Sequence, residues 1–102
     1  MDEYKRPSKS EIDSLKKKHG EIFLIAVDDK ECLLRKPTMR DIEAAMAVRT
    51  KKGNPIEFSK TIVQNCWITG HEVMRTNDDL YLAVCQKVDE LVEIKEASIA
   101  KL

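Results

Sequence analysis

At 102 residues, 42% of them hydrophobic and 35% charged, the chain has the make-up of one ordinary folded domain. A chain of this length buries roughly 60–70% of its unfolded surface in a single modest core. Its 18 basic residues are balanced by 18 acidic ones, so no net field draws it to nucleic acid or to an anionic membrane. The longest apolar run, Ile22 to Val27, falls far short of the ~20 residues that cross a bilayer. Residues Met1 to Arg6 have no apolar stretch behind their charges, unlike a signal peptide. Three cysteines at unrelated spacings argue against a disulfide framework and for a reducing, cytoplasmic compartment.

In chain order, residues 1–9 are polar, contain Pro7, and read as a loose arm. Ser10-Glu11-Ile12-Asp13 carries a helix-start signature, because a serine hydroxyl can satisfy a free backbone N–H three residues on. That helix is expected to stop at Gly20, with Ile12 and Leu15 as a narrow apolar stripe. Lys16, Lys17 and Lys18 fall in its last turn, where cations complement the helix dipole.

Glu21 to Val27 is rich in β-branched and aromatic residues and reads as a strand. Asp28-Asp29-Lys30 supplies the turn, and Glu31 to Arg35 returns as the second strand of a hairpin. Alternation sends Ile22, Leu24 and Ala26 to one face and Phe23, Ile25 and Val27 to the other. Both faces are apolar, so one must be covered either by the wrapping of helices or by another chain. Phe23, Ile25 and Val27 are therefore candidate partner-binding residues.

Pro37 ends the strand, and Thr38 caps a helix with Asp41 at its third position. Met39, Ile42, Ala45 and Met46 recur at helical spacing and are expected to be its buried stripe. Asn54-Pro55 opens a third helix bearing Phe58, Ile62, Val63, Cys66 and Trp67. Residues 68–76 read as a connector containing Gly70. Asn77-Asp78-Asp79 starts the most strongly periodic helix, with Tyr81, Val84, Cys85, Val88, Leu91 and Val92 on one side. Residues 93–102 form a charged extension, helical or frayed.

The expected fold is a single α+β domain, one β-hairpin packed on three to four helices in the order α-β-β-α-α-α, with 10–92 as its body. The expected core includes Leu24, Ile42, Met46, Ile62, Cys66, Val84, Cys85 and Val88.

Chemistry-bearing residues are sparse. Cys66, His71 and Cys85 lack the closely spaced pairs of a zinc site, and both cysteines fall on apolar helix faces. A cysteine nucleophile would need a base and an orienting group, and only His71 is near in sequence. His19 sits at a helix end, where an imidazolium suits the dipole. Asp28-Asp29 is turn chemistry without calcium-loop spacing, and Asp78-Asp79 is a helix start. The three glycines are isolated, so no phosphate-cradling loop is present. The expectation is a protein without enzymatic activity, metal or cofactor. Trp67 has two readings, a core anchor or an interface anchor.

The run Leu34-Arg35-Lys36-Pro37-Thr38-Met39-Arg40-Asp41, the later Ile62-Val63-Gln64-Asn65-Cys66-Trp67-Ile68, and a last helix from Asp78 resemble the small tail assembly chaperones of long-tailed bacteriophages and prophages. The resemblance covers roughly residues 21–92 and leaves out the N-terminal arm and residues 93–102. It implies a helper in the bacterial host cytosol that binds the tape measure protein, aids tail tube assembly and forms a possible homo-oligomer. The alternative is a small regulatory or nucleic-acid-binding protein using Lys16–Lys18 and Lys51–Lys52 with Arg49. With zero net charge and a helix-end role for the lysine run, nucleic acid is the less favoured partner.

Overall fold

The computed structural model of the protein describes residues 3–92 and 97–102. It is an α+β fold in which helices pack on a three-stranded antiparallel sheet. The elements are α1 (Lys9–His19), β1 (Ile22–Val27), β2 (Lys30–Arg35), α2 (Met39–Lys52), α3 (Ile56–Cys66), β3 (Trp67–Gly70), α4 (Val73–Thr76) and α5 (Asp78–Val88), followed by a 3₁₀ turn (Asp89–Leu91).

Helix α1 begins earlier than the sequence signature suggested. Ser8 accepts from the Glu11 N–H while the Glu11 carboxylate accepts from the Ser8 N–H. Ser8 and Ser10 are both followed three residues on by an acid, and it is the Ser8–Glu11 pair that closes the reciprocal box. Helix α2 starts as expected, with the same reciprocal arrangement between Thr38 and Asp41. Pro55 has helical dihedrals, and Asn54 Oδ1 accepts from the Ile56 N–H, which opens α3.

The hairpin turns on two residues, Asp28 and Asp29, and Asp28 takes a positive φ of 55°. Phe23, Ile25 and Val27 lie on the same side as Cys32 and Leu34, and this is the side that meets the helices. The core there combines Ile25, Cys32 and Leu34 with Ile62, Val63 and Cys66 of α3, Val84, Cys85 and Val88 of α5, and Met74 and Leu91.

Three expectations are corrected here. Ile25 is only 7% exposed, and Phe23 and Val27 pack against the core, so these three do not form an outward partner-binding face. Leu24, expected inside, is 44% exposed on the opposite face. Parity along β1 was undecidable from β1 alone, and the pairing of Ile25 with the fully buried Cys32 decides it. Met39 and Met46 are 68% and 55% exposed, not buried. Helix α2 instead turns Asp41 and Ala45 inward, with Val48 half-buried one turn on. The carboxylate of Asp41 is held by Arg35, and this sets the rotation of the helix.

The connector expected after α3 contains a strand and a short helix. Strand β3 pairs with β2, Cys32 opposite Gly70 and Leu34 opposite Trp67, with an irregularity between Leu33 and Leu34. The outer face of the sheet is not bare either. Leu33 is 2% exposed although it stands outside the main core cluster. The expectation for residues 93–102 falls partly outside the described residues; residues 97–102 are without regular structure.

Candidate functional surface

Two polar nodes hold the fold, and neither has the form of a catalytic centre. In the first, Arg35 at the end of β2 donates to both carboxylate oxygens of Asp41, at 2.6 and 3.1 Å. It also donates to the main-chain carbonyl of Asn65 at 2.8 Å, near the C-terminus of α3, where the helix dipole favours a cation. Asp41 Oδ2 accepts further from the Thr38 N–H at 2.8 Å and the Thr38 hydroxyl at 3.0 Å. The Arg35 guanidinium, followed by the Thr38 hydrogen bonds, holds the Asp41 carboxyl well down, at about 2. The Cys66 thiol points at the same carboxylate from 3.8 Å.

The second node ties down the N-terminal arm, which is not loose as expected. Arg6 grips both oxygens of Glu31, at 2.8 and 2.6 Å, and the Tyr4 hydroxyl donates to Glu31 at 2.8 Å. The Arg6 hydrogen bonds lead in lowering the Glu31 carboxyl to about 2. The Tyr4 ring lies 4.7 Å from that of His71. His71 Nδ1 in turn accepts from the Glu31 N–H at 3.0 Å, and the His71 N–H donates to the Glu31 carbonyl at 3.0 Å. His71 is therefore half-buried and extends the β2–β3 pairing. Its Nδ1 is occupied as an acceptor and faces no thiol nucleophile.

All three cysteines are buried and free. Burial pushes the Cys32 thiol up to about 12 and the thiols of Cys66 and Cys85 up to about 11, the reverse of an activated thiolate. Among the described residues, no three His, Cys, Asp or Glu side chains gather as a metal site would require. No described helix is long and apolar enough to cross a membrane.

The contacts of Trp67 are those of its core reading. One side of the indole packs on the core, and the Arg75 guanidinium lies over the ring at 4.3 Å. Arg75 is itself paired with Glu72. The basic residues weighed for nucleic acid show local roles: Lys16, Lys17 and Lys18 occupy the last turn of α1, and Lys52 lies 3.8 Å from Glu57.

The apolar surface lies elsewhere. Helix α2 packs along α3 with Asp41 and Ala45 inward, and the flank beside that buried face is open to solvent. Met39 and Met46, seven residues apart and so two turns along one face, stand exposed there, with half-buried Ile42 between them. Periodicity did reveal this stripe but assigned it to the interior. The inward pull of Arg35 on Asp41, six residues apart in sequence, is what turns it out. Leu24 on β1 and Leu82 on α5 are the other large apolar side chains exposed within the folded body.

Set against known proteins, the chain matches no family model, no curated protein and no solved structure.

Proposed function

We propose that the protein is a non-catalytic assembly helper of the phage tail chaperone type, working in the host cytosol and holding apolar segments of a tape measure protein during tail tube assembly. The observation that carries the reading is the exposed methionine face of α2, Met39 and Met46 with Ile42 between them. Methionine is unbranched and polarizable, and such surfaces accommodate apolar partners of varied sequence, which suits a holder of a long client. The resemblance of residues 34–41 and 62–68 to that family supplies the client. The buried, unreactive thiols and the two structural polar nodes are in keeping with a binding role.

The test is retention of purified tape measure segments by the intact protein, compared with the Met39→Lys, Met46→Lys double variant. Both side chains are exposed, so the variant is expected to keep its fold, checked by circular dichroism. Retention is expected to weaken at least tenfold. Failure of the native protein to retain any segment, or equal retention by a folded double variant, would overturn the reading.

A further inference from the structure

Sulfur is the element of this chain most open to two-electron oxidation, and its placement is uneven. Among the described residues, Cys32, Cys66, Cys85 and Met74 are buried, and Met74 on α4 is 0% exposed. Met39 and Met46 are 68% and 55% exposed. The thiols are shielded twice over: they are out of reach of solvent, and burial keeps them in the neutral form, which reacts poorly with peroxides. The groups that usually sense an oxidant are therefore closed to it. The sulfurs within reach are two thioethers on a single helix.

Those two thioethers share one face. Two helical turns, roughly 10 Å along the axis, separate them, and half-buried Ile42 lies between. The face cannot be withdrawn by rolling the helix. Arg35 holds the Asp41 carboxylate at 2.6 and 3.1 Å, and the Thr38–Asp41 box closes the first turn. Met39 directly follows the cap and Met46 stands midway along α2, and neither belongs to the buried face of Asp41 and Ala45. A change in their polarity therefore alters the surface and leaves the packing of α2 on α3 as it is.

We propose that Met39 and Met46 form a reversible oxidation site through which a peroxide switches the α2 face from apolar to polar. In each step the thioether sulfur attacks one peroxide oxygen, the O–O bond breaks and an S–O bond forms. Sulfur gives up two electrons, and the proton on the transferred oxygen passes to the departing hydroxide, which leaves as water. A dithiol reverses the step, removing the oxygen as water while it becomes a disulfide. Sulfoxides at both positions flank Ile42 with polar groups, so the face loses its hold on an apolar chain. That loss of hold rests on the function proposed above for α2; the site itself rests on exposure and geometry alone. Met74, with the same chemistry and no exposure, is a built-in reference.

Hydrogen peroxide treatment of the full chain, followed by peptide mass mapping, is expected to oxidise Met39 and Met46 at least tenfold faster than Met74. The three thiols should stay unmodified, and the methionine rates should converge in urea. Nile red, a neutral apolar dye, reports the face. Its fluorescence on the folded protein should fall at least threefold on oxidation, with an unchanged circular dichroism spectrum, and return with methionine sulfoxide reductases and dithiothreitol. The Met39→Leu, Met46→Leu double variant has no thioether there, so its dye signal, whatever its starting level, should not respond to peroxide. Oxidation of Met74 or of a thiol as fast as that of Met39 and Met46 would overturn the inference. So would a dye signal that is absent before oxidation, unchanged after it, or equally lost in the leucine variant. None of these readouts uses a tape measure segment, so failure of the native protein to retain such segments would strike the function proposed for α2 and leave the oxidation site standing.

Discussion

Replacing Asp41 with asparagine would keep the shape of the side chain and remove the charge that Arg35, 23% exposed, is built around. The guanidinium would retain the Asn65 carbonyl but lose its two charge-assisted bonds, and the Thr38 N–H would lose its anionic acceptor. The expected cost is about 2–4 kcal/mol, measured by denaturant unfolding. The same carboxylate sets a pH dependence. Its folded value of about 2 lies below the ordinary 3.8, so in acid the unfolded chain binds the proton first. The contribution, about 2 kcal/mol, is complete above roughly pH 5 and fades as pH falls toward 2. The stability gap between the native protein and Asp41→Asn should therefore close over that window, and a gap constant with pH would count against the assignment. The Thr38–Asp41 box was legible in the sequence because capping is a local, fixed-offset interaction. The role of Arg35 was not, because one of its partners, Asn65, lies 30 residues away.

At the level of elements, β3 illustrates why short strands escape a reading by pattern. Trp67 follows α3 with no turn residue between, and four residues are too few to show alternation. What makes the strand is its fit to β2, and Gly70 carries that fit. A Cβ at Gly70 would lie 2.4 Å from Cys32 Cβ, 2.7 Å from Cys32 Cα and 2.9 Å from the Glu31 carbonyl oxygen. Two of these three are main-chain atoms of the central strand, which cannot swing aside as a side chain does. Gly70→Ala is thus expected to push β3 away from β2, at a cost of about 1–3 kcal/mol in thermal or denaturant unfolding. The amide of His71 should lose protection against exchange, since its acceptor is the Glu31 carbonyl. A stable Gly70→Ala protein with an unaltered His71 amide would show that the two strands are looser than the contacts imply. The helices, by contrast, could be read from sequence: caps and periodicity located α2, α3 and α5. Of these three, α2 had its rotation missed, because an inward carboxylate competes with the apolar stripe.

Over the whole molecule, the arm joins the chain's beginning to its middle. Glu31 is the common acceptor for Tyr4 and Arg6, while its own main chain is fastened to His71. The arm reads as loose from its composition because the partner that holds it lies 25 residues downstream, beyond any local signal. How much it contributes follows from exposure. Arg6 is 60% exposed, and an ion pair of that kind is screened by solvent and salt. Tyr4 is half-buried against His71 and gives the arm its apolar hold. Tyr4→Ala is therefore expected to lower stability more than Arg6→Ala, and raising the salt concentration should narrow the effect of the arginine change alone. Neither should unfold the domain, because the residues that hold the arm, Glu31 and His71, lie outside the buried core cluster. Thermal unfolding at low and high salt checks both statements. An Arg6→Ala loss that is larger than that of Tyr4→Ala and indifferent to salt would mean that the charge pair, not the ring, holds the arm to the sheet.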